Sequence, residues 1–232
     1  MGIIIDILIV GFLVLGGYAG WKAGILKALI KFVGVVAVII LSLTLKDYIV
    51  AVLFKFLPFI NYGGIFDELY SINIFVYNAI AFLIVFIVLY CILSIILSVT
   101  GFINTILNLT IIWILPSKIL GMIVGVLSAW VYIVAVIYIL GQLPFTANFI
   151  YESNMAPKMV SYTPVINNLA SKTTDGMKEI YDALKDSDDS TSKEALDLQI
   201  LTKAMSAGLI TKEQFDSLIL DEKLKLDNVM FG

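Results

Sequence analysis

An uncharged apolar run, Ile74 to Val99, constrains the fold more than any other feature of the sequence. Eighteen of its residues are Ile, Leu, Val or Phe. A hydrocarbon core of about 30 Å requires roughly 20 apolar residues in a helix. Each of these side chains contributes about −0.3 to −0.6 kcal/mol near the bilayer centre, so the run gains on the order of −5 to −8 kcal/mol by insertion. The run therefore predicts a transmembrane helix.

Three more segments have the length and composition of membrane spans: Ile3 to Ala19, Ile25 to Leu45 and Ile119 to Leu140. In the whole chain 60% of residues are apolar and 14% are charged, against about 45–50% and about 25% in soluble domains. This composition excludes an ordinary soluble globule. We predict an all-α polytopic membrane protein with four transmembrane helices, short interfacial helices and a small soluble helical tail.

Charge divides the chain into two parts. Residues 1–142 carry six Lys and four Asp or Glu, a net +2, whereas residues 143–232 carry nine Lys and fourteen Asp or Glu, a net −5. Such a shift predicts a membrane region followed by an acidic tail outside the bilayer. We place a membrane domain at 1–142, a linker with a short helix from Met177 to Lys185 at 143–192, and a helical hairpin at 193–232.

The residue types that are missing exclude several classes of function. The chain has no histidine, its only cysteine is Cys91, and all fifteen cationic side chains are lysine. Zinc sites of the Cys/His kinds, His-activated nucleophiles and intrachain disulfides therefore cannot form. No arginine and no long basic patch are present to bind nucleic acid. Asp186 to Asp197 superficially resembles a calcium loop, but Thr191 stands where that loop needs glycine. We interpret it as linker and expect no metal and no cofactor.

Lysines cluster at one set of span ends. Lys22, Lys27 and Lys31 lie at or just beyond the junction of the first two spans, and Lys118 begins the fourth. Short cation-rich loops stay on the cytoplasmic side, whereas the outer segment Lys46 to Asn73 has two lysines and three acids. The pattern predicts a multi-pass membrane protein with these lysines in the cytoplasm and both termini outside.

Glycines recur at helical spacing in two of the spans. Gly16, Gly20 and Gly24 repeat every four residues, as do Gly121 and Gly125, with Ala129 next. Small residues at this spacing allow the backbone of a second helix to approach closely. Two such ridges predict close helix packing or self-association, and hence a homo-oligomer.

Two apolar pieces are too short to cross a bilayer comfortably, Tyr48 to Ile60 and Gly101 to Pro116. We predict an interfacial or re-entrant helix for each. Asn104 and Asn108 lie one helical turn apart and could line a solute pathway together with Asn78. Asparagine in a membrane helix more often forms hydrogen bonds between helices, so that structural role is the preferred interpretation.

The C-terminal part has clear helix boundaries. A helix with Leu196, Ile200 and Ala204 on one face ends at Gly208, and Thr211-x-x-Gln214 opens the next as a capping box. This hairpin resembles the short SHOCT-type domains found at protein C-termini. The residues that carry the resemblance are Gly208, Ile210, Thr211, Glu213 and Phe215. The hairpin is predicted to mediate either binding of a protein partner or oligomerisation.

Residues 1–142 contain three short motifs in order: Ile5 and Asp6 at the start of the first span, the turn GWKAGILKAL, and KILGMIVGVLSAW in the fourth span. Through these motifs, residues 1–142 resemble the colicin V production protein (CvpA) family. The resemblance implies a four-span protein of the bacterial inner membrane. It further implies a role in production or export of a peptide toxin and in envelope homeostasis, without an established catalytic activity.

Two functional hypotheses follow. The first is a non-enzymatic membrane accessory or scaffold protein that self-associates through its glycine ridges and presents its acidic tail to partners. The alternative is an oligomeric small-solute channel or transporter. An intramembrane enzyme is disfavoured because the spans contain no paired carboxylates and no nucleophile with an adjacent base.

Overall fold

Four long helices dominate the computed structural model, which describes residues 2–63, 66–99, 114–163, 175–182 and 193–220. All regular structure in these ranges is helical. The long helices are α1 (Gly2–Ala23), α2 (Ile25–Phe56), α3 (Ile72–Val99) and α4 (Ile114–Gln142). Each has the length and apolar composition to cross a membrane. The predicted all-α class with four membrane helices is confirmed.

Helix α2 extends well beyond a bilayer. Its 32 residues correspond to about 48 Å at 1.5 Å per residue, against a hydrocarbon core of about 30 Å. The prediction that this span ends at Leu45 and that Tyr48 to Ile60 forms a separate helix is wrong. No glycine or proline lies between Leu45 and Pro58 to interrupt the helix. The helix stops there because Leu57 is extended, with φ −97° and ψ 139°, as a residue preceding proline prefers.

The second predicted interfacial segment, Gly101 to Pro116, lies mostly outside the described residues. Its last three residues, from Ile114 onward, already belong to α4. Asn104 and Asn108 also lie outside the described residues.

Two short helices follow α4 where the sequence predicted irregular chain: α5 (Pro144–Tyr151) and α6 (Ala156–Ser161). Proline is tolerated at the start of α5 because the first backbone N–H of a helix has no partner within that helix. Both helices pack against α4 and bury Ala147, Ile150 and Met159. Short helices gain most of their stability from such tertiary packing, which local sequence patterns do not reveal.

The C-terminal helices agree with the predicted hairpin. Residues 175–182 form α7, and the hairpin consists of α8 (Lys193–Ser206) and α9 (Lys212–Leu220). Gly208 has φ 70°, a conformation that glycine adopts without strain after a helix. The capping box is present, since the backbone N–H of Gln214 donates to Thr211 Oγ1 (3.2 Å) and that of Thr211 donates to Gln214 Oε1 (3.0 Å).

The hairpin packs against the membrane helices. Residues 47–63 and 66–81 share one apolar core with α7, α8 and α9, and we call this part the cap. The first half of α3 runs through the middle of the cap, so that every residue from Ile72 to Phe82 is buried or half-buried. Other buried members of the cap core are Phe54, Leu69, Met177, Ile200, Phe215 and Leu218.

Beyond the cap, α3 has a different environment. From Leu83 onward it exposes large aliphatic side chains, including Ile87, Val88 and Ile95. Helices α1, α2 and α4 likewise expose Ile, Leu, Val and Met side chains along their length. Exposed apolar surface of this extent is unfavourable in water but not in lipid. These surfaces form the belt of a multi-pass membrane protein.

Candidate functional site

Four glycines bring α1 and α4 into backbone contact. A methyl group added at Gly20 would lie 2.1 Å from the carbonyl oxygen of Gly121, and one added at Gly125 would lie 2.3 Å from that of Gly16. Ala129 adjoins the same contact, its Cβ 2.4 Å from a methyl group added at Gly16. The two glycine ridges therefore pack against each other within one chain. This packing requires no second copy, so the glycine spacing does not by itself indicate self-association.

Gly24 has a different role from the other glycines of its series. It is the single residue between α1 and α2, and its φ of 75° and ψ of 166° are strongly disfavoured for residues with a side chain. The next residue, Ile25, donates its backbone N–H to Ser117 Oγ of α4 at 3.3 Å. Gly24 thus forms the turn that joins the two helices and lies against α4.

The four predicted topology lysines lie at one end of the bundle, opposite the cap. Lys22 is in the last turn of α1, where its ammonium group lies 4.8 Å from the centre of the Tyr18 ring. Lys27 and Lys31 are in the first two turns of α2, and Lys118 is at the start of α4. We call this the lysine end.

The cap is anchored on α2 by a buried lysine. Lys46 is 5% exposed, and its ammonium group donates to Asn78 Oδ1 at 2.6 Å and to Asp47 Oδ1 at 2.9 Å. The Asn78 amide donates in turn to the carbonyl oxygens of Ile74 (2.9 Å) and Leu209 (3.3 Å). This network joins α2, α3 and the hairpin. Asn78, predicted as a candidate pathway residue, therefore lies inside the cap.

A second buried contact holds the hairpin to the start of α3. The backbone N–H of Ser71 donates to Asp197 Oδ1 at 2.9 Å, and Asp197 is 3% exposed. Burial raises the pKa of the Asp197 carboxyl, and the hydrogen bonds from Ser71 act in the opposite direction. Asp197, the last acidic residue of the segment that resembled a calcium loop, thus holds the hairpin against the start of α3.

At the cap end of the bundle, Asp6 joins α1 to the segment between α5 and α6. Its carboxylate accepts hydrogen bonds from Ser153 Oγ (2.5 Å) and from the backbone N–H groups of Asn154 (3.3 Å) and Met155 (3.1 Å). Ser153 Oγ also accepts the N–H of Ala156 at 2.9 Å, where α6 begins. Three donors on one carboxylate fix the start of α1 against the end of the membrane bundle.

Residues from all four long helices line a cleft of about 830 Å³ at the lysine end. It includes Lys31 of α2 and the hydroxyl-bearing residues Tyr90, Ser94, Ser98, Ser128 and Tyr132. The remaining walls are mostly apolar. Asn78 is not among the lining residues, because it lies at the opposite end of α3.

Comparison with known proteins agrees with this architecture. A model of the family described as colicin V production protein matches residues 5–164, more than half of the chain. The chain belongs to this family. No curated protein and no solved structure matches it.

The family match extends further than the predicted membrane domain, which ended at residue 142. It includes α5 and α6 and both partners of the Asp6–Ser153 contact, so the matched range follows the bundle and the segment bonded to its first helix. Helices α7, α8 and α9 lie beyond residue 164. In this family member the cap therefore combines matched residues of α2 and α3 with a hairpin outside the match.

Several residues that hold this arrangement together were not identified from the sequence. Lys46 was interpreted as the start of an outer loop, and Ser71, Ser153 and Asp197 received no role. Their partners are 32 to 147 positions away in the chain, a separation at which no local pattern operates. One signal was available for Lys46, because a lysine inside a helix-forming apolar segment requires a polar partner.

Proposed function

We propose that this family member is a non-enzymatic accessory or scaffold protein of the bacterial inner membrane. In this role it supports production or export of a colicin V-like peptide toxin and, more broadly, envelope homeostasis. The cap is the part that binds its protein partner. Membership of the family supports a role in toxin production or export. The way the cap is packed onto the membrane helices supports partner binding by the cap.

One observation carries this proposal: the hairpin is integrated into the membrane unit. It shares an apolar core with α2 and α3, and the buried contacts Lys46–Asn78–Leu209 and Ser71–Asp197 tie it to both helices. A surface held this firmly is presented to a partner in a fixed orientation, which reduces the conformational entropy lost on binding.

The cleft at the lysine end favours a second candidate, an oligomeric small-solute channel or transporter. Its volume is in the range of small-molecule sites. Of the asparagines predicted to line a pathway, Asn78 is engaged in the cap instead. Solute flux into liposomes that contain the purified chain distinguishes this candidate from the scaffold.

We assign the cap and both termini to the outer side of the membrane. The four lysines of the opposite end support this orientation. With Cys91 replaced by serine, a cysteine introduced at Leu220, which is 83% exposed on α9, is expected to react with a membrane-impermeant maleimide in intact cells. A cysteine at Lys22 should react only after the cells are opened. Labelling in the reverse order would invert the orientation.

The scaffold function is tested by complementation. In a strain that secretes a colicin V-like peptide and lacks its own family member, the intact chain should restore the zone of growth inhibition around colonies. Phe215→Ala, which removes a buried ring from the cap core, should cost about 3 kcal/mol or more and abolish restoration. The membrane level of the variant is measured in parallel by immunoblot.

The matched control is Leu220→Ala, an apolar substitution on the exposed side of the same helix, which should leave toxin production unchanged. Full restoration by Phe215→Ala at a normal membrane level would show that the cap is dispensable and would contradict the proposal.

A further inference from the structure

The cleft at the lysine end exists because small residues line it. Gly16, Ala19 and Gly20 of α1, Ala28 of α2, and Gly125 and Ala129 of α4 contribute to its walls. Helix α1 packs mainly on α4, and α3 packs mainly on α2. The cleft therefore lies between two helix pairs, flanked by α1 and α3.

The depth of the cleft corresponds to one leaflet of a bilayer. Along α3 its lining runs from Ser98 inward to Tyr90, a rise of about 12 Å for eight residues. Half of a hydrocarbon core is about 15 Å. At the inner end Tyr132 of α4 donates its hydroxyl hydrogen to the Tyr90 hydroxyl at 3.4 Å.

The flanks of the cleft face the lipid belt. Phe12 and Leu15, on the α1 side, are 58% and 62% exposed, and Tyr90, on the α3 side, is 39% exposed. An acyl chain can therefore enter sideways from the surrounding leaflet. A small water-soluble anion gains nothing from these apolar walls.

The part of the cleft nearest the lysine end carries a positive charge. Gly34 of α2 lies against Leu93 of α3, where an added methyl group would be 2.9 Å from the leucine side chain. Lys31 is one turn nearer the helix end and is exposed, so its ammonium group can extend toward the headgroup layer. Residues 7–46 and 69–151 contain no Asp or Glu. The parts of the four helices that line the cleft therefore contain no acid that could neutralise the charge on Lys31.

We propose that this cleft binds one anionic phospholipid. One of its acyl chains lies between α1 and α3 as far as the Tyr90–Tyr132 pair, and its phosphate pairs with Lys31. Mostly apolar walls about one leaflet deep, with one lysine among the lining residues near the headgroup level, match an amphiphile of this kind. They would not retain a zwitterionic lipid with the same preference.

Native mass spectrometry of the full-length chain tests the proposal. The protein is purified in mild detergent, and phosphatidylglycerol or phosphatidylcholine is added at equal concentrations. Wild-type protein should retain one phosphatidylglycerol in preference to phosphatidylcholine. Lys31→Gln should weaken this retention about fivefold, as expected for one lysine at an anionic headgroup.

Lys22→Gln is the matched control, because Lys22 is an exposed lysine at the same end that does not line the cleft. It should change retention less than twofold. Ala19→Leu, which fills the cleft from its α1 wall, should reduce retention of phosphatidylglycerol while Lys31 remains in place. Excess inorganic phosphate should not displace the lipid.

Three results would overturn the site. Equal losses in Lys31→Gln and Lys22→Gln would indicate general attraction of anionic lipid to the lysine end. Unchanged retention in Ala19→Leu would show that no acyl chain occupies the cleft. Displacement by inorganic phosphate would indicate an anion site that does not require a lipid.

Discussion

Gly20→Leu is expected to prevent α1 from packing on α4. A side chain at this position would meet the carbonyl oxygen of Gly121 at 2.1 Å and the Cα of Gly125 at 2.8 Å. These are backbone atoms, so no change of rotamer relieves the overlap and the two helices have to separate. We expect a loss of about 3 kcal/mol or more, equivalent to a drop of about 6–12 °C in the midpoint of thermal unfolding.

The measurement is the thermal unfolding midpoint in mild detergent, together with the fraction of monodisperse protein in size-exclusion chromatography. Gly11→Leu serves as the control, because it makes the same change in the same helix at a position with nothing within 4 Å. It should leave both quantities unchanged. Equal midpoints for the two variants would mean that α1 and α4 do not cross at these glycines.

This result also bears on self-association. If the glycine ridges mediated the predicted self-association, Gly121→Leu or Gly125→Leu would weaken an oligomer. In the structure both positions contact α1 of the same chain, at 2.6 Å from Gly20 O and 2.3 Å from Gly16 O for an added methyl group. These variants should therefore unfold the monomer first. A homo-oligomer of this protein would have to form through another surface.

The second large effect is expected from Asn78→Leu. This change removes the amide that accepts from the buried Lys46 ammonium group at 2.6 Å and donates to the Leu209 carbonyl oxygen at 3.3 Å. Among the described residues, the lysine then keeps Asp47 as its hydrogen-bond partner, and the Asp47 side chain is itself 65% exposed. A hydrogen bond to a charged group contributes about 1.5–3 kcal/mol, and leaving its partner buried adds a desolvation penalty. We expect a loss of about 3 kcal/mol and detachment of the hairpin.

The detachment can be followed by limited proteolysis at the hairpin and by the thermal midpoint. Adding Lys46→Met to Asn78→Leu should recover part of the stability, because an apolar pair of similar volume has no unpaired charge. Thr44→Leu is the control, since it replaces a polar side chain on the exposed side of α2, where the hydroxyl bonds only its own helix. If the double variant were less stable than Asn78→Leu alone, Lys46 and Asn78 would not act as a pair.

The glycine crossing and the Asn78 network differ in their relation to the family match. The glycine crossing lies within residues 5–164, the range that the family model matches. The Asn78 network bonds this range to Leu209, which lies outside it. Gly20→Leu is therefore expected to disrupt the bundle, and Asn78→Leu only the attachment of the hairpin to it.

The sequence was most informative where a property is local. The Ile74–Val99 run, the break at Gly208 and the capping box from Thr211 to Gln214 each depend on residues within a few turns of one another. It was misleading at Lys46, because a charged residue after a long apolar segment normally marks the end of a span. Here the helix continues to Phe56, since the charge is buried against Asn78 rather than released to water.

Composition and periodicity alone determined that this chain forms four lipid-soluble helices with lysines at one end and an acidic helical tail. These properties follow from side-chain transfer energies and hydrogen bonding along the chain, which need no knowledge of what lies beside each helix. Only the tertiary structure showed that the glycine ridges face each other and that the hairpin shares a core with α2 and α3. It also showed that a cleft lined in part by Lys31 lies between the long helices. Such features depend on shape and polar complementarity between segments as far as 147 residues apart, and no local sequence signal encodes which segments meet.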